Sequence, residues 1–420
     1  MSAMFGRSSR RLARRARPAR RAVTARLRRI PVPCRARVLL SGALLRRPWR
    51  TVVPLDKLLL GPQNARRHTA AEFAAATGDL LWPSTPVTEG PHVELLRLAA
   101  GRELTDADIL ASPYGRMAGQ AIRAHGAYFD ATDDAGVVAV ARRFLAGDPG
   151  DRPEPLLVAP IRGSDCYQLL DGHHRAARAA VGGARTVEVT AKWAPVTTPL
   201  QDLLTEMTWL DGDRQLYQPL PGAELRSGWP TVRRCTDRLD KLTEFLGEHG
   251  IDPPATYLDV ASCYGWFVHR LGELGYDAEG MERDPLARPL GRAAYGLDPA
   301  RVHIGDCVDL LRATDRRRDV VSCFSLLHHF VLGRAKVDHT ELLRLLDGVT
   351  GRVLFLDTGQ EHEAWFRTSL RGWDPERIAA ELAEHTTFDK IVDLGPDADA
   401  VPPHADNYGR HLFACLRTTR

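Results

Sequence analysis

The chain has 420 residues, of which 44% are hydrophobic and 26% charged, values typical of folded globular proteins and enough for two domains. The first 50 residues contain 16 arginines and no acidic side chain, whereas the other 370 carry 41 basic and 53 acidic side chains, a net charge of −12. This asymmetry excludes a uniformly basic nucleic-acid-binding body.

Residues 1–50 are predicted to form a basic arm that is disordered or loosely helical, with a composition suited to anionic surfaces. Three interpretations stay open: a flexible arm on a membrane surface or nucleic acid, a solvated tail without function, and coding sequence upstream of the true start. The last two are favoured together, because an excess of Arg over Lys, 52 to 5, runs through the whole chain.

Membrane insertion and secretion are not expected. The longest apolar run near the start, residues 38–45, is much shorter than the roughly 20 residues of a membrane span. The seven cysteines are scattered and show no C-x-x-C spacing, which predicts reduced thiols in the cytoplasm and neither disulfides nor a metal site.

Residues 51–196 are predicted to form a smaller α+β domain. Apolar stretches predict strands over 156–161, 166–170 and 186–193, with an Ala-rich helix between the second and the third. The turn into this helix is Asp171-Gly-His-His-Arg175. Where a strand, a glycine turn and the start of a helix follow one another, backbone N–H groups converge on one point at which an anion can bind. The guanidinium group of Arg175 can add charge-assisted hydrogen bonds there.

This turn resembles that of the ParB-like and sulfiredoxin-like superfamily, and most of all its members that handle nucleotides or phosphate, such as free-serine kinases. The resemblance implies that phosphate would contact four residues, with Asp171 at the mouth: Gly172, His173, His174 and Arg175. No cysteine occupies the turn, which argues against sulfiredoxin chemistry. In the alternative interpretation Asp171 caps the helix, the histidines satisfy local backbone groups, and the domain is only a docking module.

Residues 197–229 are rich in Pro and Gly and are predicted to be a linker or lid. The segments 216–219 and 228–231 resemble lids of bacterial glycan-associated methyltransferases. Residues 231–250 are predicted to form an amphipathic helix, with Arg233, Arg234 and Arg238 off its apolar stripe. These arginines could meet an anionic acceptor, but a solvated face is the favoured interpretation.

Residues 230–420 alternate strands and helices, which predicts a Rossmann-like α/β domain with a mostly parallel sheet. The predicted strands cover 257–260, 278–282, 302–306, 319–325, 351–357 and 411–415. Glu282, at the end of the second strand, is placed to accept both hydroxyls of a ribose. The hydride-transfer motif G-x-G-x-x-G is absent from the first turn.

The first turn, Leu258-Asp-Val-Ala-Ser-Cys-Tyr-Gly-Trp-Phe267, resembles motif one of class I S-adenosylmethionine-dependent methyltransferases, and the later strands follow that family in order. The resemblance implies a seven-stranded sheet and S-adenosylmethionine as cofactor. The residues that it implies as cofactor-binding are Asp259, Ala261, Cys263, Gly265, Glu282, Asp306 and Ser325. Ala261 and Cys263 depart from the family, which has Gly or another small residue there. Ala261 tolerates the turn only if its φ stays negative.

The predicted activity is methyl transfer to a small polar acceptor, for which a hydroxyl of a sugar or glycan precursor is one candidate. A hydroxyl requires a nearby base, and the candidates are His328, His329 and His362. Two alternatives remain: a nucleotide-dependent kinase or nucleotidase in residues 51–196, with the second domain as a scaffold, and a nucleic-acid-binding protein that uses the arm. Nucleic acid is the less favoured partner, because no N-P-P-Y-like tetrapeptide follows the fourth strand.

Overall fold

The structure, a computed structural model, describes residues 49–61, 85–147, 155–207, 214–402 and 404–418. The predicted arm lies outside the described residues apart from Trp49 and Arg50, which begin the first strand. The chain divides into two compact units, unit 1 (Met1–Leu203 and Gly222–Gly228) and unit 2 (Leu204–Pro221 and Trp229–Arg420). The predicted linker is thus shared between the units. No helix in the described ranges has both the length and the apolar character to span a membrane.

Unit 1 contains a five-stranded mixed sheet in the order β1-β5-β3-β4-β2. Its strands are β1 (Trp49–Pro54), β2 (Leu58–Leu59), β3 (Leu156–Pro160), β4 (Tyr167–Asp171) and β5 (Thr186–Ala191). β1 runs antiparallel to β5 and β3 antiparallel to β4, whereas the β3–β5 and β2–β4 pairs are parallel. The three strands expected from the apolar pattern are therefore present.

The helices of unit 1 pack around an apolar cluster that includes Val93, Tyr114, Val137 and Phe144. They are α1 (Pro91–Gly101), α2 (Asp106–Ala111), α3 (Pro113–His125), α4 (Asp134–Ala146) and α5 (His173–Val181), and α6 (Pro199–Glu206) follows in the predicted linker. Side chains cap several of them, as where Ser112 Oγ accepts the N–H of Gly115 at 3.1 Å at the start of α3.

Unit 2 contains a seven-stranded sheet in the order β11-β12-β10-β9-β6-β7-β8. Its strands are β6 (Thr256–Val260), β7 (Asp277–Glu282), β8 (Val302–Ile304), β9 (Arg318–Phe324), β10 (Thr350–Asp357), β11 (Lys390–Pro396) and β12 (His411–Leu416). β12 is antiparallel to both neighbours, and the pairs from β10 to β8 are parallel. The predicted α/β class with a Rossmann-like seven-stranded sheet is confirmed.

Helices cover both faces of this sheet, because its central strands are apolar on both sides. They are α7 (Thr236–Glu248), α8 (Trp266–Glu273), α9 (Ala287–Tyr295), α10 (Cys307–Ala313), α11 (Leu327–Val331), α12 (His339–Val349) and α13 (Pro375–His385). The strand order reverses between β6 and β9. In open sheets of this kind, ligands bind beyond the carboxyl ends of the strands at such a switch point.

Candidate functional site

A cavity of about 840 Å³ lies in unit 2, at the carboxyl ends of β6, β7, β8 and β9. It brings together seven of the residues predicted from the sequence: Ala261, Cys263, Glu282, Asp306, Ser325, His328 and His329. Asp259, Gly265 and His362 are not part of its lining. Six aromatic side chains that the site prediction omitted line it as well: Tyr217, Phe324, Phe330, Trp365, Phe366 and Tyr408.

The turn after β6 adopts a left-handed backbone at three positions. φ is +65° at Ala261, +57° at Cys263 and +87° at Gly265. The condition of a negative φ at Ala261 is therefore not met. A hydrogen bond joins the turn to β7, because the N–H of Ser262 donates to the carbonyl of Met281 at 2.9 Å. A left-handed backbone costs an L-residue about 1–2 kcal/mol, so the cavity wall holds strain.

Glu282, at the end of β7, is already engaged by the backbone around it. Its carboxylate accepts N–H groups from Cys263 at 2.8 Å, Arg283 at 2.7 Å and Asp284 at 3.1 Å. Burial raises the pKa of Glu282, and these hydrogen bonds oppose the rise. A carboxylate offers about four lone-pair sites, so Glu282 retains the capacity to accept about one further hydroxyl proton.

The two other acidic candidates differ in their access to the cavity. Asp306 lines it, caps α10 by accepting the N–H of Val308 at 3.0 Å, and lies 3.7 Å from Lys336 Nζ. Asp259 is buried, accepts the hydroxyl proton of Ser322 at 2.7 Å, and lies outside the lining. Burial raises the pKa of Asp259 to about 7. The structure gives Asp259 a supporting position at the end of β6.

His328 and His329 follow β9 and both line the cavity, but their environments differ. His328 is buried, and its Nδ1 accepts the N–H of Gly359 at 3.1 Å, so the neutral ring carries its proton on Nε2. Burial, and then the charge of Arg410, lower the pKa of His328 to about 2. His329 is exposed, and among the described residues neither of its ring nitrogens has a hydrogen-bond partner. Desolvation by the cavity walls, together with Arg334, lowers its pKa.

His362 lies away from the cavity lining. Its Nε2 is 2.9 Å from the carbonyl oxygen of Tyr408, to which it donates a hydrogen bond. The structure therefore brings His328 and His329 to the cavity but leaves His362 on an exposed loop. Of the three candidate bases, only His329 combines a place in the lining with two uncommitted ring nitrogens among the residues described.

Beside the cavity lies a buried ion network that the sequence interpretation missed. Every member is at most 5% exposed, and the members are Arg233, Arg238, Arg410, Asp357, Glu363, Asp397 and Asp399. The favoured expectation of a solvated face is therefore wrong for Arg233 and Arg238, and Arg234 alone is exposed. A helical-wheel pattern counts these arginines as polar and therefore external, because it contains no information about the acids supplied by β10 and by the segment after β11.

This network holds the wall of the cavity at Ser325. The Ser325 hydroxyl accepts from Arg233 Nη1 and Arg410 Nη1, each at 2.8 Å, and the Ser325 N–H donates to Asp357 Oδ1 at 2.7 Å. Arg410 also forms a bidentate pair with Glu363 at 2.8 Å through Nε and Nη2. Ser325 has a φ of +59°, a strained conformation that these contacts maintain.

In unit 1, the predicted anion-binding turn packs its histidines inward. Gly172 has a φ of +92° and no side chain caps α5, so the proposed capping by Asp171 is wrong. The His174 ring stacks on Phe144 with centroids 4.0 Å apart, and burial lowers the pKa of both His173 and His174 to about 4. Arg175 lies 3.3 Å from Asp171. The packing accounts for the two histidines as interior side chains, and phosphate binding at residues 171–175 remains a prediction.

Within the described ranges, no three His, Cys, Asp or Glu side chains lie together as metal ligands would. The six cysteines in these ranges are free thiols.

No protein-family model and no curated protein matches this sequence. Among solved structures, the bifunctional kinase-methyltransferase WbdD is similar to 52% of this chain, at 20% identity and a TM-score of 0.40, and the match covers 46% of WbdD. The S-adenosylmethionine complex of magnesium protoporphyrin IX methyltransferase from Synechocystis PCC 6803 matches 43% of this chain and 78% of its own length, at 12% identity and a TM-score of 0.31. An S-adenosylmethionine-dependent methyltransferase from Clostridium acetobutylicum ATCC 824 matches 43% of this chain and 90% of its own length, at 12% identity and a TM-score of 0.32.

Proposed function

We propose that unit 2 transfers a methyl group from S-adenosylmethionine to a small polar acceptor bound in the cavity beyond β6 to β9. One observation carries the proposal: residues chosen from the sequence as nucleoside contacts line a single cavity at the switch point of the sheet. These residues are Ala261, Cys263, Glu282, Asp306 and Ser325. A hydroxyl of a sugar or glycan precursor is the acceptor that we put forward first.

The residues present fit a nucleoside-bearing cofactor. Glu282 has capacity for one ribose hydroxyl beyond its three backbone donors. Asp306 lines the same cavity one strand further along and can accept from an exocyclic amine. When bound, S-adenosylmethionine supplies an electrophilic methyl group, and the chain's own contribution is to hold both reactants in line.

Transfer to a hydroxyl also requires removal of a proton, and His329 is the side chain suited to this role. Its lowered pKa keeps the ring neutral at pH 7, and its nitrogens have no hydrogen-bond partner among the described residues. His328 donates from Nε2 in its neutral form, because Nδ1 is held by Gly359. His328 therefore acts as a hydrogen-bond donor that positions the acceptor, and His329 as the base.

The test compares Glu282→Gln with Glu279→Gln, a matched change on the same strand. Glu279 pairs with Arg318 at 2.7 Å and does not line the cavity. In Glu282→Gln, the amide oxygen can still accept from Arg283 and Asp284, but the amide nitrogen meets the N–H of Cys263, donor against donor. The amide also lacks the charge that strengthens a hydrogen bond to a ribose hydroxyl. Hydrogen bonds to charged groups contribute about 1.5–3 kcal/mol, which is about a tenfold or greater change in a binding constant.

Calorimetry should therefore show at least tenfold weaker S-adenosylmethionine binding in Glu282→Gln and unchanged binding in Glu279→Gln. Circular dichroism of both variants checks that the fold is retained. Equal affinity in Glu282→Gln and the wild type, or no binding by the wild type, would contradict the proposal.

A further inference from the structure

Four cationic side chains line the cavity, and the protein itself neutralises only two of them. Arg410 forms its bidentate pair with Glu363, and Lys336 Nζ lies 2.6 Å from Asp309 Oδ2. Arg283 and Arg334 are exposed, and among the residues that the structure describes their guanidinium groups have neither a hydrogen bond nor an ion pair. Two full positive charges thus face the cavity without a protein partner.

Both charges are placed around His329. The N–H of Arg334 donates to the carbonyl of His329 at 2.9 Å, and Arg283 follows Glu282 directly at the end of β7. Burial is the main cause of the lowered pKa of His329, and the positive charges of Arg334 and Arg283 lower it further. Neither acid of the cavity pairs with these guanidinium groups, since the Glu282 carboxylate accepts backbone N–H groups and Asp306 contacts Val308 and Lys336.

A neutral acceptor would be poorly suited to this arrangement. An acceptor made only of hydroxyls would displace water from two guanidinium groups and offer them no charge-assisted hydrogen bond in return. A carboxylate or a phosphate, in contrast, matches the planar fork of an arginine and forms charge-assisted hydrogen bonds with it. A neutral His329 in the same lining adds no third charge, and its ring can form a hydrogen bond with the carboxylate or phosphate.

We propose that Arg283 and Arg334 bind an anionic group of the acceptor, a carboxylate or a phosphate, so that the substrate of this site is an acid. This inference rests on the proposed function, because it takes the cavity as the place where the acceptor is methylated. It narrows the acceptor from any small polar molecule to one that carries a negative charge next to the reacting atom.

The experiment titrates the full-length protein with inorganic phosphate and, separately, with acetate, at constant ionic strength maintained with sodium chloride. Calorimetry reports binding, together with the intrinsic tryptophan fluorescence of the protein, to which Trp365 in the cavity lining contributes. The variants are Arg283→Gln and Arg334→Gln. The matched control is Arg344→Gln, which removes the same charge from an exposed position on α12 outside the lining.

We expect saturable binding of at least one anion, about tenfold weaker in Arg283→Gln and in Arg334→Gln and unchanged in Arg344→Gln, since a hydrogen bond to a charged group contributes more than a neutral one. Binding of phosphate alone identifies a phosphate site, and binding of acetate alone a carboxylate site. Absence of saturable binding, or an equal loss in all three variants, would overturn the proposal.

Binding of S-adenosylmethionine by the wild type is measured in parallel, so that the two ideas can fail separately. A protein that binds S-adenosylmethionine but neither anion refutes the acidic acceptor and leaves the methyltransferase proposal intact. A protein that binds phosphate through both arginines but not S-adenosylmethionine refutes the methyltransferase function and keeps the anion site.

Discussion

Replacing Asp357 by asparagine should destabilise the centre of unit 2 far more than a similar change at the surface. Oδ2 of Asp357 accepts from Arg233 Nη2 at 3.3 Å and from Arg238 Nη1 at 3.0 Å, while Oδ1 accepts the N–H of Ser325 at 2.7 Å. Burial alone would raise the pKa of Asp357, but the charges of Arg233, Arg238 and Arg410 hold it below its usual range.

The magnitude follows from what asparagine can and cannot replace. Its oxygen can still accept from Ser325, whereas its NH₂ group would face two guanidinium donors in a site with no exposed surface. Breaking a fully buried ion pair by removal of one partner costs about 3–5 kcal/mol. The control Asp393→Asn breaks a pair with His411, 2.7 Å long and partly exposed, and should cost at most about 1 kcal/mol.

Hydrogen–deuterium exchange of peptides from β9 and β10 is the suitable assay, since a chain of two units has no single free energy of unfolding. A loss of about 3–5 kcal/mol corresponds to exchange that is roughly 10²- to 4 × 10³-fold faster in Asp357→Asn. Exchange within about fivefold of the wild type would refute the view that this network holds the cavity wall, and so would an equal effect in Asp393→Asn.

Two further predictions concern the histidines of unit 1 and the strained turn of unit 2. The pKa of buried His173 is about 4, below the 6.5 of an unfolded chain, so its contribution to stability is complete above about pH 6.5 and is lost as the pH falls toward 4. The loss of stability is about 2 kcal/mol at pH 5 and is measurable by hydrogen–deuterium exchange of α5 peptides. A His173→Leu variant with the same pH dependence as the wild type would exclude this ring as the cause. Ala261→Gly should relieve about 1–2 kcal/mol of strain at φ +65° and lose about 0.5–1 kcal/mol to chain entropy, a net gain of up to about 1.5 kcal/mol in the hydrogen–deuterium exchange of peptides from β6 and β7. Ala261→Val should be less stable than the wild type, and a glycine variant less stable than the wild type would contradict the strain.

The site was partly predictable because parallel strands carry local signals. Glu282 and Asp306 each follow an apolar strand, and strands of one parallel sheet end at a common edge, so their meeting in one cavity followed from order along the chain. The separate roles of His328 and His329 did not follow. They depend on Gly359, 31 positions after His328 in the chain, whose N–H occupies Nδ1 of His328 alone.

By itself, the sequence determined the α/β class of unit 2, the order of six of its seven strands and the edge of the sheet at which the cavity lies, since strand and helix periodicity are local properties. Only the tertiary structure decided which charged side chains are buried and which are exposed. Arg233 and Arg238 look external on a helical wheel, yet acids from β10 and the segment after β11 enclose them. Burial of a charge depends on partners 119 to 164 residues away in the chain, and no local pattern contains them.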